Sequence, residues 1–352
     1  MHRRLLLLLL AFLLAFLAAP LAAQVDPELL SGMKARSIGP AGMSGRIAAI
    51  EAVESNPNVI YVGASTGGVW KSENAGLTWK PIFDDQPVHS IGAVAVFQPN
   101  PDIVWVGTGE GNTRNSVSIG DGLYNSLDAG RTWTHKGLTE TERIHRILTH
   151  PTYSSTVYVC ALGRLWGENA ERGVFKTTDG GKTWKKILYV DERSGCADLA
   201  MDPANPNKLI AALWEFRRWP WFFRSGGPGS GLYVTVDGGE TWEKRTVEDG
   251  LPEGDLGRMG VAFSRAYPNI VYALAEAEKS ALLRSDDGGR SWKKVNEETN
   301  IVPRPFYYAD LRVDPEFPNR VYSLHSRVTV SNDSGKSFET LVPFRNIHPD
   351  HH

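Results

Sequence analysis

From Arg46 onward the chain is a succession of short apolar runs, each cut off by Gly, Pro, Asn or Asp, and the succession repeats. Runs such as RIAAIEAV from Arg46, IGAVAVF from Ile91 and RMGVAFS from Arg258 are rich in Val, Ile, Phe and Ala and have strand length. A Pro turn and a second run follow: NPNVIYVGA from Asn56, NPDIVWVGTG from Asn100, HPTYSSTVYVCA from His150, NPNKLIAAL from Asn205, YPNIVYALA from Tyr267 and FPNRVYSLH from Phe317. After a loop comes a third run, such as GVWKS, GLYNS, GVFKT, GLYVT or ALLRS. Each third run leads into one octet, Ser/Thr-x-Asp-x-Gly-x-Ser/Thr-aromatic, whose aromatic residue opens a fourth run. Pro and Gly fall between runs, as they must if the runs are ladder-forming strands.

The octets are SENAGLTW (Ser72–Trp79), SLDAGRTW (Ser126–Trp133), TTDGGKTW (Thr177–Trp184), TVDGGETW (Thr235–Trp242), SDDGGRSW (Ser285–Trp292) and SNDSGKSF (Ser331–Phe338). Their third positions, Asn74, Asp128, Asp179, Asp237, Asp287 and Asp333, are spaced by 54, 51, 58, 50 and 46 residues. A four-strand unit repeated about every fifty residues predicts an all-β β-propeller, its blades set radially around a channel. The blades fall near 44–84, 89–137, 143–190, 195–247, 256–296 and 307–344. A seventh is expected to begin at the C-terminus, making this the first part of a longer protein; a closed six-bladed ring is the alternative. The octet Asp is expected to accept hydrogen bonds from its own turn, the Gly to take a positive φ, and the aromatic to pack inward. An Asp or Asn at this place in every repeat points to scaffold rather than catalysis.

Residues 1–23 stand apart. A basic start (Arg3, Arg4), an apolar run from Leu5 to Ala19 and small residues at Ala22 and Ala23 have the plan of a cleaved secretory signal peptide, with 24–43 a lead-in and 44–352 the propeller. The expected location is therefore periplasmic or secreted. With 38 Lys+Arg against 40 Asp+Glu, the chain lacks the basic excess of a general nucleic-acid binder. Cys160 and Cys196 are expected to be two buried free thiols, one disulfide being the alternative.

The octets resemble the Asp-box (BNR) repeats of sialidases, xyloglucanases, sortilin-type receptors and a photosystem assembly factor. The chain beyond the leader resembles the N-terminal part of exported bacterial proteins with a sortilin-like propeller, often labelled glycosyl hydrolase. That resemblance is carried by GTGEGNTRNSVSIGDGLYNSLDAG (Gly107–Gly130), ALGRLWGENAERGVFKTTDGG (Ala161–Gly181) and LWEFRRWPWFFRSGGPGSGLY (Leu213–Tyr233). Xyloglucanases carry a catalytic Asp in a Thr-Asp-x-Gly-Gly string. Aligned on Gly67 and Gly68, this chain has Ser65 there, and the Arg-Ile-Pro string of sialidases is replaced by Arg46-Ile47-Ala48.

Propeller connectivity puts the octet and Pro turns on one face and the longer insertions on the other. Insertions on a rigid scaffold are where binding chemistry gathers. The carboxylates there, Glu110, Asp121 and Glu168, are the candidates for catalysis. Arg114, Trp166, Arg172, Trp214, Arg217, Arg218, Trp219, Trp221 and Arg224 are the candidates for stacking on sugars or clamping a peptide. The competing reading has the aromatics plug the channel while arginines pair with Glu110 and Glu168. His348, Asp350 and His352 alternate and would share one face of a strand, a spacing open to metal, but they also suit the start of another repeat. No metal or cofactor is expected. The function expected first is a non-catalytic propeller binding a protein, peptide or oligosaccharide, with no nucleic-acid partner and no membrane association after cleavage. The alternative is a glycoside hydrolase using the insertion-face carboxylates.

Overall fold

A computed structural model describes residues 46–114, 116–298, 301–307 and 309–342. They form six antiparallel sheets, one for each octet, and the fold is an all-β six-bladed propeller. Blade 1 holds β1 (Ile47–Val53), β2 (Asn56–Ala64), β3 (Gly68–Ser72) and β4 (Lys80–Pro81). Blade 2 holds β5 (Ile91–Val96), β6 (Val104–Thr108), β7 (Leu123–Ser126) and β8 (Thr134–His135), and blade 3 holds β9 (Ile144–Thr149), β10 (Val157–Ala161), β11 (Gly173–Thr177) and β12 (Lys185–Leu188). Blade 4 is larger: β13 (Ser194–Asp202), β14 (Asn205–Trp219), β15 (Phe222–Ser225), β16 (Gly231–Thr235) and β17 (Glu243–Lys244). Blade 5 comprises β18 (Met259–Phe263), β19 (Val271–Ala275), β20 (Ala281–Ser285) and β21 (Lys293–Asn296), and blade 6 comprises β22 (Asp310–Val313), β23 (Val321–Leu324), β24 (Val328–Ser331) and β25 (Glu339–Val342). Within each blade the strands pair in sequence order; in blade 4, β15 pairs only with the far end of β14. The leader, the lead-in and the expected start of a seventh blade lie outside the described residues.

The first strands of successive blades pack against one another and form the wall around the axis. Glycines let them come close. A Cβ on Gly92 would stand 2.2 Å from the carbonyl oxygen of Ile144 in the next blade, and one on Gly260 would stand 1.7 Å from that of Ala309. The apolar core is divided into seams between neighbouring blades. Ile91, Val94 and Val106 pack with Tyr61 and Val69; Val157 and Phe175 pack with Trp105; Met259, Val261 and Leu283 pack with Ile210 and Leu232. At roughly 25 cal/mol per Å² of apolar area removed from water, such seams are the main source of the fold's stability.

The octets close as expected, with two refinements. Asp128 accepts from the backbone N–H groups of Arg131 (3.0 Å) and Thr132 (2.9 Å) and from the hydroxyls of Ser126 (2.8 Å) and Thr132 (2.7 Å). Asp179, Asp237, Asp287 and Asp333 repeat this set in large part, and in blade 1 the Asn74 side-chain oxygen stands in for the carboxylate. Two successive residues take positive φ. The first of them is not always Gly, being Ala75 at 56° in blade 1, Ala129 at 59° in blade 2 and Ser334 at 67° in blade 6. The aromatic residue lies in the turn and the fourth strand starts one residue later. Its ring also faces the preceding blade rather than the interior of its own: Trp133 donates to the Ile82 carbonyl (2.6 Å) and Trp184 to that of Lys136 (2.7 Å).

Cys160 and Cys196 are not free thiols. They form a disulfide, with Cα atoms 5.0 Å apart, that joins β10 of blade 3 to β13 of blade 4 inside a fully buried seam. Both side chains point into that seam from adjacent blades. This proximity follows from blade stacking and leaves no trace in the sequence spacing.

Candidate functional site

The two faces are fixed by a recurring hydrogen bond. In each blade the octet turn donates a backbone N–H to its own Pro turn: Ala75 to Asn58, Ala129 to Asp102, Gly180 to Ser155, Gly238 to Asn207, Gly288 to Asn269 and Ser334 to Asn319, all at 2.7–3.0 Å. The loops between second and third strands therefore emerge on the opposite face. They are short in blades 1, 5 and 6, and long in blades 2, 3 and 4.

Beneath the long loops the axis is filled by charge. Arg46 clasps Glu110 with two hydrogen bonds, one at 2.7 Å, and the carboxylate is fully buried. Arg146 bridges Asp198 (2.8 Å) and Asp310, tying blade 3 to blades 4 and 6, while Asp198 also accepts from the Val261 N–H of blade 5 (2.9 Å). Burial opposes the charge on Asp310, but Arg146 and Arg312 beside it hold its carboxyl well below the usual range. Arg258 donates to the Asn112 side chain (3.0 Å) and the Tyr307 carbonyl (2.9 Å) and lies 3.1 Å from the His145 ring. Burial, with Arg146 and Arg258 adjacent, keeps His145 neutral, its pKa pushed well below the ordinary value. One or two polar side chains in each of several first strands build this plug. Their signature is charge inside otherwise apolar runs: His145-Arg146 in β9, Asp198 in β13 and Asp310 in β22.

Where the sequence predicts a loop, blade 4 instead extends a hairpin. β14 runs past the sheet of blade 4 and turns at Pro220 into β15, making a hairpin arm with Arg217 opposite Arg224, Arg218 opposite Phe223 and Trp219 opposite Phe222. Strand alternation gives the arm two faces. Phe216, Arg218, Phe223 and Ser225 share one; Arg217, Trp219, Phe222 and Arg224 share the other. On the second face the Arg217 and Arg224 guanidinium groups lie 4.6 and 5.7 Å from the Trp219 ring centroid, and Arg217 reaches Glu168 at 4.0 Å. Trp221 sits at the tip, 83% exposed.

The first face closes a cleft of about 660 Å³ with the blade 2 insertion and the segment entering blade 6. Its walls carry three guanidinium groups (Arg114, Arg218, Arg304), three rings (Phe223, Phe306, Tyr307) and the hydroxyls of Thr113, Ser116 and Ser225. Arg114 lies 5.7 Å from the Tyr307 ring centroid and Arg218 lies 4.5 Å from that of Phe223. Behind the wall, Ser225 donates to Glu276 (2.6 Å), whose carboxylate also accepts the Arg258 N–H (2.7 Å). Burial raises the Glu276 pKa against the pull of these hydrogen bonds.

The residues singled out from sequence thus separate. Arg114 and Arg218 meet in the cleft; Arg217, Trp219 and Arg224 stack on one another behind it; Trp166 is exposed on the blade 3 insertion. Trp214 and Arg172 are not available to a ligand. Trp214 is fully buried and donates to Ser225 (3.0 Å); Arg172 is fully buried and spends its guanidinium on the carbonyls of Arg193 (2.7 Å), Gly167 (2.8 Å) and Arg164. Burial, with Arg143 nearby, brings the Arg172 pKa down to about 10. Asp121 accepts from Tyr124 (2.8 Å). Ser65 is fully buried, and its hydroxyl has no hydrogen-bond partner. Glu276 was missed: it follows an apolar strand, and nothing in AEAEKS separates it from a solvated carboxylate. His348, Asp350 and His352 lie outside the described residues, and among the described residues no cluster of His, Cys, Asp and Glu could hold a metal ion.

Residues 121–250, less than half of the chain, match the family model described as "Sortilin, neurotensin receptor 3", a likeness that agrees with the propeller fold. By sequence the chain is 25% identical over 233 residues to a xyloglucanase of a Paenibacillus species, covering 57% of this chain and 20% of that protein. It is 22% identical over 316 residues to xyloglucanase Xgh74A of Acetivibrio thermocellus, covering 76% of this chain and 34% of that one. The chain thus spans about a third or less of the length of these curated relatives. Among solved structures, an ancestral GH74 enzyme superposes with a TM-score of 0.58 at 20% identity, over 81% of this chain and 35% of that one. YCF48 bound to D1 peptide superposes at 0.54 and 16% identity, over 85% and 82%. These superpositions establish the fold. The sequence matches overturn one expectation: a non-catalytic binding propeller was placed first, but the curated relatives are hydrolases, so the hydrolytic alternative takes precedence.

Proposed function

We propose that the chain is the propeller of an exported glycoside hydrolase acting on a polysaccharide, with xyloglucan the first substrate to test. The observation that carries this reading is the sequence match to two xyloglucanases, which in the longer case extends over 76% of the chain. Export is supported by the leader and by the buried disulfide, a bond at home in an oxidising compartment.

Glycoside hydrolysis needs a protonated carboxyl to release the leaving oxygen and a second carboxylate to activate water or attack the sugar. The position where the resemblance to xyloglucanases places their Asp is the buried Ser65 here, so that carboxylate is supplied by another residue. Glu110 is fully buried and both of its carboxylate oxygens are taken up by Arg46, so it presents nothing to a substrate. Glu276 suits the acid role, because burial favours its protonated form and it sits directly behind Ser225 at the cleft. Asp121 and Glu168, on the same face, are the candidates for the second carboxylate.

Purified protein is incubated with xyloglucan and a panel of polysaccharides, and new reducing ends are counted. Glu276→Gln is expected to lower kcat by about 10²–10⁴-fold. The wild-type rate should fall on the alkaline side as Glu276 loses its proton. Asp121→Asn and Glu168→Gln sort the second role. Absence of new reducing ends from every polysaccharide would overturn the reading.

A further inference from the structure

The cleft beside the hairpin arm has an unusual charge balance. Three guanidinium groups reach it and, among the described residues, no carboxylate lines it. Most arginines at the axis are matched: Arg46 with Glu110, Arg146 with Asp198 and Asp310. Arg114 and Arg218 have no carboxylate within ion-pair distance among the described residues. Each is held instead against a ring, Arg114 on Tyr307 and Arg218 on Phe223. The Arg218 Nε is buried without a hydrogen-bond partner, and burial lowers its pKa. Arg218 is half-buried, and the shielded part of its guanidinium has no counter-charge, a cost that an incoming anion relieves. The ring stacking fixes the planar forks in place, and a pre-positioned guanidinium fork binds a carboxylate through two parallel hydrogen bonds. Phe223, Phe306 and Tyr307 supply flat apolar surface between the forks, the surface on which sugar rings stack.

We infer that the cleft between the hairpin arm and the blade 2 insertion is a subsite for a carboxylate-bearing sugar, a uronic acid residue of an acidic polysaccharide, held by Arg114 and Arg218 against Phe223 and Tyr307. That the ligand is a glycan rests on the hydrolase reading above. That it is acidic rests on the cleft alone, and it sets this chain apart from enzymes acting on a neutral polysaccharide.

The test is calorimetric binding of an oligogalacturonate and of the same oligosaccharide with its carboxyls reduced to alcohols. Wild-type protein is expected to prefer the acidic form by about tenfold or more at low salt, and the preference should shrink as salt is raised. Arg218→Ala and Arg114→Ala should each abolish the preference without changing the melting temperature by more than a degree or two. Trp219→Ala, on the other face of the arm, should leave it intact. Arg218→Lys, which keeps charge but not the fork, should recover only part of it. Equal affinity for the two oligosaccharides, or an undiminished preference in both alanine variants, overturns the inference. So does tighter binding of a peptide ending in a free carboxylate than of the oligogalacturonate. The reading of hydrolysis fails separately: binding of the acidic glycan without turnover sinks the hydrolase and keeps the subsite. Turnover of neutral glycan without acidic preference does the reverse.

Discussion

The octet face and the insertion face of this propeller are built from the same strands by opposite rules. On the octet face every blade closes the same turn with the same hydrogen bonds and ties it to its own Pro turn. The turn carboxylates, hydroxyls and backbone N–H groups are paired within a few residues of themselves. On the insertion face no two blades are alike. Partners come from other blades, as when Arg258 of blade 5 meets Asn112 of blade 2, and some groups are left without a partner, as with the Nε of Arg218. Local satisfaction makes a scaffold; deferred satisfaction makes a site.

The comparison is broken most severely at the axis that both faces share. Arg146→Met leaves Asp198 buried without its cation and Asp310 with only Arg312 at 3.5 Å, and unfolding in urea should show a loss of about 3–5 kcal/mol. Opening the Cys160–Cys196 bond, by reductant or by Cys196→Ser, should cost about 2–4 kcal/mol in the same measurement, since a cross-link between blades restricts the unfolded chain. A smaller effect isolates the octet face. Hydrogen bonds from the Thr132 hydroxyl and backbone N–H hold the Asp128 carboxyl down at about 2. A carboxyl depressed in the folded state adds stability above its unfolded value, and that contribution is lost as pH falls toward 2. Asp128→Ala should therefore lower Tm by about 2–4 °C at neutral pH, with the difference from wild type narrowing in acid and glycan binding unchanged. Loss of binding with unchanged melting would contradict the scaffold role.

The smallest expected effect has the opposite sign. Glu51, on β1 of blade 1, has its pKa raised to about 7 by burial, against the Gln98 hydrogen bond. A carboxyl raised in the folded state favours folding at low pH, and that contribution fades as pH rises through 7. Glu51→Gln should melt with wild type at pH 4 and about a degree or two above it at pH 8.

How much of this could be read from the sequence follows the same divide. The octets announce themselves because each turn is satisfied by residues adjacent in the chain, so the six blades of the described residues and the direction of the two faces were both legible, while the expected seventh blade lies outside those residues. The disulfide was not, because Cys160 and Cys196 meet only through the stacking of two blades. Nor was the charged plug: His145, Arg146, Asp198 and Asp310 look like interruptions of apolar strands until three blades bring them together. The hairpin arm lies between. The apolar and aromatic run through Trp219, with the matching run after Pro220, could have been read as two strands. The dense arginines drew attention to binding instead, and strand alternation then divides them between two faces that a loop would not have had.

The disulfide and the arm belong to the same pair of blades. β14, whose far end becomes one side of the arm, is paired along its length with β13, and β13 is bolted through Cys196 to β10 of the neighbouring blade. A lever with a fixed base can move only by bending. Any displacement a bound chain imposes on the arm is therefore taken up near Phe216 and Ser225, where the arm leaves the sheet, and not by blade 4 sliding against blade 3. Ser225 is also the residue that holds Glu276. A pull on the tip at Trp221 would thus arrive, with little lost along the way, at the hydrogen bond beside the proposed proton donor.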